Sequence, residues 1–299
     1  MDGKINGFSD YLKEELSKYS GRMVPVKAWK IERILVKKAA ISRLHPNPED
    51  EFSFPEIGPN YKIISDYIAR YNRYGTMKKP EEIVEEPLMV QKVHPDGYML
   101  LNGHHRWAAF WSLGIMTAPV SIVNLTQETD IERMILASNH DKRATLDLDE
   151  VIFCSGDEPS EDPLRGLAGR RYREKLRLGI PALLHFLSRQ GYDIWVYTAK
   201  YYSMDYIKGY FKHYSVKTDG IITGTGRKEK GNEAAKARVE KLLKEQYAET
   251  LHIDRGMVLR TFSDTKDFEE YPVSDSSSEW SQSVISVIRR LKKNEKDRT

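Results

Sequence analysis

The sequence predicts an α/β protein of two domains: an N-terminal α+β domain and a C-terminal parallel sheet with helices on both faces. Its 299 residues exceed the usual size of a single hydrophobic core. In the second half, short apolar runs alternate with helical patterns of about 10–15 residues, which is typical of a parallel sheet. In the first half, a Pro-Asp-Gly turn joins two apolar runs into a hairpin. We therefore expect domains at residues 1–125 and 145–299, joined by a connecting helix within residues 126–144.

The elements of the N-terminal domain follow from hydrophobic periodicity and turn residues. Apolar residues at helical spacing predict helices, and short apolar runs between turn residues predict strands. Gly114 ends the last predicted helix of this domain. The predicted elements are a helix at residues 8–19, strands at 23–26 and 34–36, a helix at 61–74, strands at 87–93 and 98–102, and a helix at 107–113.

The elements of the C-terminal domain alternate between strands and helices. Each predicted strand is a short apolar run, and Ser278 is a candidate N-cap for the final helix. The predicted elements are strands at residues 146–153 and 192–197, a helix at 204–214, a strand at 220–223, a charged helix at 228–246, a last strand at 250–253, and a helix at 281–291.

Two carboxylates lie two positions apart in the first strand of this domain, at Asp147 and Asp149. Because a strand alternates its side chains, we expect both on the same side. Such a pair can share one Mg²⁺, a cation that prefers oxygen ligands, or it can divide the work between a nucleophile and a proton carrier. Thr198 and Asp254 each follow or end a later predicted strand, and Asp147 also lies at a strand end if its strand starts near Ala144. Because sites in parallel sheets lie at the carboxyl ends of strands, we expect these residues to converge on one crevice.

This ordered set of polar residues resembles the motifs of the haloacid-dehalogenase-like phosphohydrolase superfamily. The resemblance covers residues 145–260 and implies a Rossmannoid parallel sheet with helices on both faces. Lys230 matches the lysine motif better than Lys228, because Gly231 lets the chain turn closely into the following helix. The matching residues, in chain order, are Asp147, Asp149, Thr198, Lys230 and Asp254.

The resemblance implies a Mg²⁺-dependent phosphoester hydrolase that acts on a phosphorylated small molecule or a nucleotide. In this reading Asp147 attacks phosphorus and forms an aspartyl-phosphate, while Asp149 protonates the leaving oxygen and then activates water. Thr198 and Lys230 hold the phosphoryl oxygens. The implied ligands of Mg²⁺ are Asp147, Asp149 and Asp254.

Arg255 leaves a second function open. Superfamily members usually carry another acid beside or shortly after the residue that corresponds to Asp254, whereas Arg255 follows it here. A cation at a metal site repels Mg²⁺ and weakens its binding. The alternative is a non-catalytic nucleotide-binding or regulatory protein whose phosphohydrolase-like domain is degenerate.

A basic segment at residues 165–177 follows the first motif. On a helix, Arg170, Arg173 and Arg177 would share one face. That face could receive a polyanionic substrate, or it could be a solvated surface balanced by nearby acids. Both interpretations stay open.

A second candidate site follows the hairpin, where Gly103, His104, His105 and Arg106 lead into a helix. A glycine lets the backbone approach a ligand, and a helix N-terminus offers unpaired N–H groups and a positive dipole end. Arg106 adds a fork of donors for phosphate or carboxylate, and the two imidazoles could add more. The structural alternative is that Arg106 pairs with a nearby acid and His105 caps the turn.

This half, at residues 24–125, resembles the fold shared by the N-terminal domain of ParB proteins and sulfiredoxin. The resemblance implies that the turn from Gly103 to Arg106 binds the phosphates of a nucleotide such as ATP, ADP or CTP. Sulfiredoxin chemistry needs a cysteine where this chain has His104, and is therefore excluded. Some members are free-serine kinases with an acid before the glycine, a position that Asn102 occupies here. A ParB-like small-molecule kinase is thus a third function that stays open.

Composition narrows the choice of partners and compartment. A formal net charge of +3 gives no support for a nucleic-acid partner. Cys154 is the sole cysteine, which suits a reducing compartment. No stretch is long and apolar enough to span a bilayer, and the N-terminus lacks the apolar run of a signal peptide. We therefore predict a cytoplasmic protein with no membrane partner.

Overall fold

The structure is a computed structural model that describes residues 2–19, 22–74, 86–154, 156–226, 233–274 and 279–296. It is a mixed α/β fold with two six-stranded sheets, and each sheet contains parallel strand pairs. The chain divides into two compact units, of which the first is Met1–Asn124 and the second begins at Leu125. Each unit is described by itself below.

The first unit places a mixed sheet beside three longer helices. The sheet order is β2-β6-β4-β5-β3, with β1 paired to β4. Strands β4 and β5 form the antiparallel hairpin, whereas β4 runs parallel to β6 and β3 runs parallel to β5. The elements are α1 Asp2–Tyr19, β1 Val24–Pro25, α2 Lys30–Leu35, β2 Lys38–Ala40, β3 Leu44–His45, α3 Tyr61–Tyr74, β4 Leu88–His94, β5 Tyr98–Asn102, α4 His104–Ser112 and β6 Thr117–Ile122.

Helix α2 replaces the strand expected at residues 34–36, so that prediction was wrong. Glu32 explains the difference, because its carboxylate accepts hydrogen bonds from Lys92 Nζ at 2.8 Å and from Tyr98 Oη at 3.2 Å. These contacts hold the helix against the hairpin through its polar side and leave Ile34 exposed. Tertiary contacts have overridden the β propensity of an isoleucine-leucine-valine run.

Aromatic side chains from α1, α3 and α4 build the core of the first unit. Phe8 lies 5.6 Å from Trp107 in an edge-to-face contact, and Tyr11 stacks on Trp111 at 4.8 Å. Such aromatic pairs stabilise a core beyond the area that they bury. Because α4 carries both tryptophans, this packing holds its first turn, where the candidate anion site lies.

The second unit contains a sheet with four parallel strands and an antiparallel edge. The sheet order is β12-β11-β10-β7-β8-β9, in which β10, β7, β8 and β9 are parallel. Ser278 lies outside the described residues. The elements are α5 Glu128–Leu136, β7 Lys142–Asp147, α6 Gly166–Arg171, α7 Ile180–Arg189, β8 Tyr192–Thr198, α8 Met204–His213, β9 Gly220–Thr223, α9 Glu233–Gln246, β10 Glu249–Ile253, β11 Met257–Phe262, β12 Phe268–Pro272 and α10 Trp280–Lys296.

Strands β11 and β12 correct the expectation of a purely parallel sheet that ends with β10. They add antiparallel to β10 as a hairpin, with Val258 opposite Ile253 and Glu270 opposite Leu259. The outer strand β12 alternates between exposed and half-exposed residues. A half-solvated antiparallel strand has a weaker apolar pattern than a buried parallel one, which explains why the sequence did not predict it.

Helices cover both faces of the second sheet, as the alternation of β8 demonstrates. Ile194 and Val196 join the large cluster that contains side chains of α7, α8 and α10. Trp195, which points to the other face, packs with Ile135 of α5 and with Tyr247 after α9. The period of two along the strand therefore sorts its side chains between two helical layers.

The chain turns sharply at Asp147, which agrees with a strand that starts near Ala144 and not with one that continues to residue 153. Strand β7 ends at Asp147, and Leu148–Ile152 form a π-helical turn. The Asp147 Oδ1 atom accepts the N–H groups of Asp149 at 2.6 Å and Glu150 at 2.8 Å. This side-chain cap supplies partners for backbone donors and favours the turn. Asp149 therefore lies in the turn and not in the strand. The alternation of side chains along a strand, which was expected to orient its carboxylate, does not apply to it.

Candidate functional site

The carboxyl ends of three neighbouring parallel strands bring Asp147, Tyr197 and Asp254 together. Asp147 pairs in register with Tyr197, and the residue before Asp147 pairs with the residue before Asp254. Burial raises the pKa of Tyr197, and the negative charges of Asp147, Asp254 and Glu150 raise it further. The two aspartates thus act electrostatically on one phenol at the same edge of the sheet.

Thr198 is fully buried and holds Asp149. Its hydroxyl donates to Asp149 Oδ2 at 2.5 Å and accepts the backbone N–H of Lys200 at 3.0 Å. The structure therefore brings Thr198 and Asp149 into direct contact, although they are 49 positions apart in the sequence. With its hydroxyl engaged twice, Thr198 orients a carboxylate in this structure; contact with phosphoryl oxygens stays a prediction.

Lys200 belongs to the site, although the sequence motifs did not point to it. Its Nζ atom lies 3.0 Å from Asp149 Oδ1, and its side chain is 63% exposed. The predicted lysine, Lys230, and its alternative, Lys228, both lie outside the described residues. The sequence does contain a signal for it, because Lys200 follows the strand-ending threonine by two positions in the order Thr-Ala-Lys.

The positive charge of Arg255 is paired with neighbouring acceptor groups of the second unit. Its Nη1 atom lies 3.0 Å from Glu158 Oε1, and its Nε donates to the backbone carbonyl of Glu150. Its own carbonyl accepts the indole N–H of Trp280 at 2.7 Å. The guanidinium is thereby paired with an acid, which reduces the repulsion expected between Arg255 and a cation held by Asp254.

The carboxylates at the strand ends fit a hard cation only in part. Among the residues that the structure describes, no group of three or more His, Cys, Asp or Glu side chains is placed to hold a metal ion. Asp149 is engaged with Thr198 and Lys200. Asp147 and Asp254 offer oxygen donors at neighbouring strand ends, and oxygen is the donor that Mg²⁺ prefers. Two of the three predicted ligands thus lie at neighbouring strand ends, and their binding of one cation stays a prediction.

The basic segment after the π-helical turn does not form the shared face that was considered. Helix α6 ends at Arg171, so Arg173 and Arg177 lie beyond it. Arg177 is buried, lies 3.3 Å from Glu158 and stacks over the ring of Trp280 at 5.4 Å. It therefore stabilises the core, and only the exposed members of the segment are available to an anion.

The turn between β5 and α4 has the geometry expected of a glycine. Gly103 has a φ of +95°, in the left-handed region, and it forms the N-cap of α4. A Cβ atom at this position would lie 2.6 Å from Leu88 Cδ2. Arg106 Nη1 donates to the backbone carbonyl of Glu86. Within the part of the chain that the structure describes, the guanidinium is thus held by a backbone carbonyl just before β4, whereas the structural alternative expected an acid as its partner.

The two imidazoles hold loops of the first unit. His104 Nε2 accepts the backbone N–H of Asn47 at 3.4 Å, and His105 Nε2 accepts that of Asn60 at 3.2 Å. Burial lowers the pKa of His104 to about 4 and also lowers the pKa of His105. Neutral imidazoles whose Nε2 atoms act as acceptors cannot donate to an anion through those atoms.

Comparison with known proteins identifies one family. Residues 75–140 match the ParB N-terminal domain, so the chain contains this domain over less than a quarter of its length. The matched residues include the turn from Gly103 to Arg106. No curated protein matches the chain. None of the helices in the described part of the chain is long and apolar enough to cross a membrane.

Proposed function

We propose that the second unit is a phosphoester hydrolase of the haloacid-dehalogenase-like type, with Asp147 as its nucleophile. One observation carries the proposal. Asp147 ends a central parallel strand between Tyr197 and Asp254, while Asp149 in the following turn is held by a buried threonine. This arrangement supports the proposal, because the residues proposed as nucleophile and proton carrier lie two positions apart at the carboxyl edge of the sheet, where sites of parallel sheets form.

The contacts of each carboxylate suit its proposed role. Asp147 Oδ1 accepts two backbone N–H groups, so Oδ2 is the oxygen that attacks phosphorus as the bond to the leaving oxygen breaks. Asp149 donates a proton to that leaving oxygen and later accepts one from the water that cleaves the aspartyl-phosphate. Thr198 holds Asp149 in position through both steps. Atoms and charge therefore balance with no further reactant than water.

Asp147 and Asp254 are the residues that would hold Mg²⁺. When bound, the cation supplies positive charge that offsets the negative charge of the phosphoryl oxygens. The chain's own contribution is to orient the attacking oxygen and to hold Asp149 ready for proton transfer. The ion pair of Arg255 with Glu158 supports this assignment, because it offsets the positive charge of the residue that follows Asp254.

The direct test is phosphate release from a panel of phosphomonoesters and nucleotides by the full chain with Mg²⁺. We expect Asp147→Asn to abolish turnover, because an amide is not a nucleophile toward phosphorus. The exposed Asp162 gives a matched control, and Asp162→Asn should retain turnover. Undiminished hydrolysis by Asp147→Asn would contradict the mechanism.

A non-catalytic nucleotide-binding or regulatory protein with a degenerate phosphohydrolase-like domain is the second candidate. The observation that favours it is that the described residues contain no three-membered ligand group for a metal. This alternative predicts that the wild-type chain binds phosphate or nucleotide and releases none from any ester in the panel. Detection of Mg²⁺-dependent release that Asp147→Asn removes would exclude it.

For the first unit, we propose that the turn from Gly103 to Arg106 binds the phosphates of a nucleotide. The match to the ParB N-terminal domain supports this, as does a left-handed glycine at the start of a nine-residue helix. A helix N-terminus stabilises an exposed anion by only about 0.3–1 kcal/mol, so Arg106 must supply most of the affinity. Its donors can turn to phosphate because the partner that the structure describes for them is a neutral backbone carbonyl.

Calorimetry of the full chain with ATP, ADP and CTP tests this site. We expect Arg106→Ala to weaken nucleotide binding by about ten-fold or more, since a charge-assisted hydrogen bond contributes roughly 1.5–3 kcal/mol. Arg106→Lys should restore part of the loss, because lysine lacks the planar fork. Equal binding by wild type and Arg106→Ala would assign Arg106 a structural role. Transfer of phosphate from ATP to a small hydroxyl compound would instead support the kinase alternative.

A further inference from the structure

Lys200 lies at the site but has no role in the mechanism above. Its backbone is held on both sides: its N–H donates to Thr198 Oγ1 at 3.0 Å, and its carbonyl accepts the N–H of Gly224 at 3.0 Å. Its side chain, in contrast, is 63% exposed. Because the backbone of Lys200 is fixed and its flexible side chain is exposed, the ammonium group can change position while the Cα atom stays in place.

The partner of this ammonium group is an unusual oxygen. Asp149 Oδ1 is buried and accepts no hydrogen bond from the described residues. Lys200 Nζ lies 3.0 Å away, within ion-pair distance but without hydrogen-bond geometry. The other oxygen, Oδ2, is bound by Thr198. The contact between Lys200 and Asp149 therefore consists of electrostatic attraction without a hydrogen bond. Buried acceptors usually have a hydrogen-bond donor, so this ion pair is not the strongest contact that either group could form.

A phosphoryl group is the anion that such a pair would accept. It carries more negative charge and more acceptor oxygens than a carboxylate, and a lysine is a compact point charge with three donors. A partly exposed ion pair contributes little to stability, so its exchange for a stronger contact costs little. Release of Lys200 would also leave Asp149 Oδ1 available for a proton.

We propose that the ion pair between Lys200 and Asp149 is a resting contact, which a bound phosphoryl group displaces by taking over the ammonium group. This inference rests on the proposed function for the identity of the anion as phosphoryl. It assigns Lys200 a binding role whether or not Lys230 contributes. It also couples the arrival of phosphate to the release of Asp149.

Binding of inorganic phosphate to the full chain, measured by calorimetry, tests the exchange without requiring turnover. We expect Lys200→Met to weaken phosphate binding by about ten-fold, whereas Lys208→Met, which changes an exposed lysine on α8, should leave it unchanged. Lys200→Arg should restore part of the affinity. Unchanged phosphate binding by Lys200→Met, or no phosphate binding by the wild type, would overturn the proposal.

A double-mutant comparison tests whether the phosphoryl group displaces Asp149 from Lys200 or whether Asp149 merely repels the anion. Asp149→Asn removes the competing carboxylate, so it should tighten phosphate binding several-fold in the wild-type background. In the Lys200→Met background the same change should have a clearly smaller effect, because no ammonium group is left to release. Equal effects in both backgrounds would show that Asp149 merely repels the anion and would overturn the exchange. Phosphate binding that depends on Lys200, without hydrolysis of any ester, would support this inference and contradict the proposed phosphohydrolase. Hydrolysis that does not depend on Lys200 would support the phosphohydrolase and contradict this inference.

Discussion

At the scale of single residues, His104 shows how a side chain with metal- and phosphate-binding chemistry can be used to hold a loop. Its ring is buried, lies 5.3 Å from the ring of Phe52, and accepts the N–H of Asn47. The carboxylate of Asp50 lies 3.8 Å from Nδ1. That distance is too long for a hydrogen bond, so burial outweighs the attraction of the carboxylate and keeps the imidazole neutral.

The stability of the first unit should therefore depend on pH through His104. In the unfolded chain the imidazole takes up a proton near pH 6.5, whereas in the folded unit burial lowers the pKa of His104 to about 4. The unfolded state thus binds the extra proton first, and folding stability is lost as the pH falls from about 6.5 to about 4. The loss amounts to roughly 3 kcal/mol if it is fully expressed.

Denaturant unfolding at pH 7 and pH 4.5 measures this effect. His104→Gln, which keeps a neutral acceptor for Asn47, should reduce the stability difference between the two pH values. His185→Gln changes an exposed histidine of α7 and should keep the wild-type difference. A wild-type pH dependence in His104→Gln would show that other groups cause it.

At the scale of elements, the junction of β5 and α4 depends on a glycine for two reasons. The positive φ of Gly103 is a conformation that other residues adopt at a cost. Space is also restricted, because a Cβ atom would lie 2.6 Å from Leu88 Cδ2. Gly114, two residues after α4, has a φ of +69°, but a Cβ atom there would meet no atom of the described residues within 4 Å. A comparison of Gly103 with Gly114 therefore distinguishes the cost of a positive φ, which both positions share, from the cost of crowding, which arises only at Gly103.

We expect Gly103→Ala to lower the free energy of unfolding of the first unit more than Gly114→Ala does. Both substitutions carry the cost of a positive φ, roughly 1–2 kcal/mol. Only Gly103→Ala adds overpacking against β4, which typically costs about 1–3 kcal/mol. Chemical denaturation of the two variants under the same conditions provides the comparison. Equal destabilisation would mean that Leu88 moves aside without cost.

At the scale of the whole molecule, each unit has its own core. The cluster of the first unit includes Phe110, and the large cluster of the second unit includes Phe211; both side chains are fully buried. Within the described part of the chain, each of these clusters is built from the side chains of one unit. Compact units with separate cores can unfold as separate cooperative transitions.

Cavity-forming substitutions should therefore act on one unit at a time. Phe110→Ala should reduce amide protection in the first unit, and Phe211→Ala in the second, each by about 3–5 kcal/mol of local stability. Native-state hydrogen exchange resolved by peptide measures both in one experiment. The exposed Phe268 is the control, since Phe268→Ala removes little buried surface. Equal loss of protection in both units from a single variant would indicate one cooperative unit.

Local pattern by itself determined much of this protein. Helix α8 and strand β9 agree with apolar periodicity, and Thr198 and Asp254 lie at or just after strand ends as their positions in the sequence predict. The turn that begins at Gly103 also lies between a hairpin strand and a helix, as the order of apolar run, glycine and helical pattern predicts. These features depend on side-chain periods and backbone preferences that a few adjacent residues establish.

Only the tertiary structure decided which polar groups meet. Thr198 and Lys200 contact Asp149 across about fifty positions, and Arg255 contacts the carbonyl of Glu150 across 105. The π-helical turn after β7 likewise arises because a carboxylate caps its own following N–H groups, which strand periodicity does not reveal. Buried polar groups must find hydrogen-bond or ionic partners, and those partners are supplied by whatever strands the sheet brings together. The sheet order, and not the local sequence, therefore selects the residues of the candidate site.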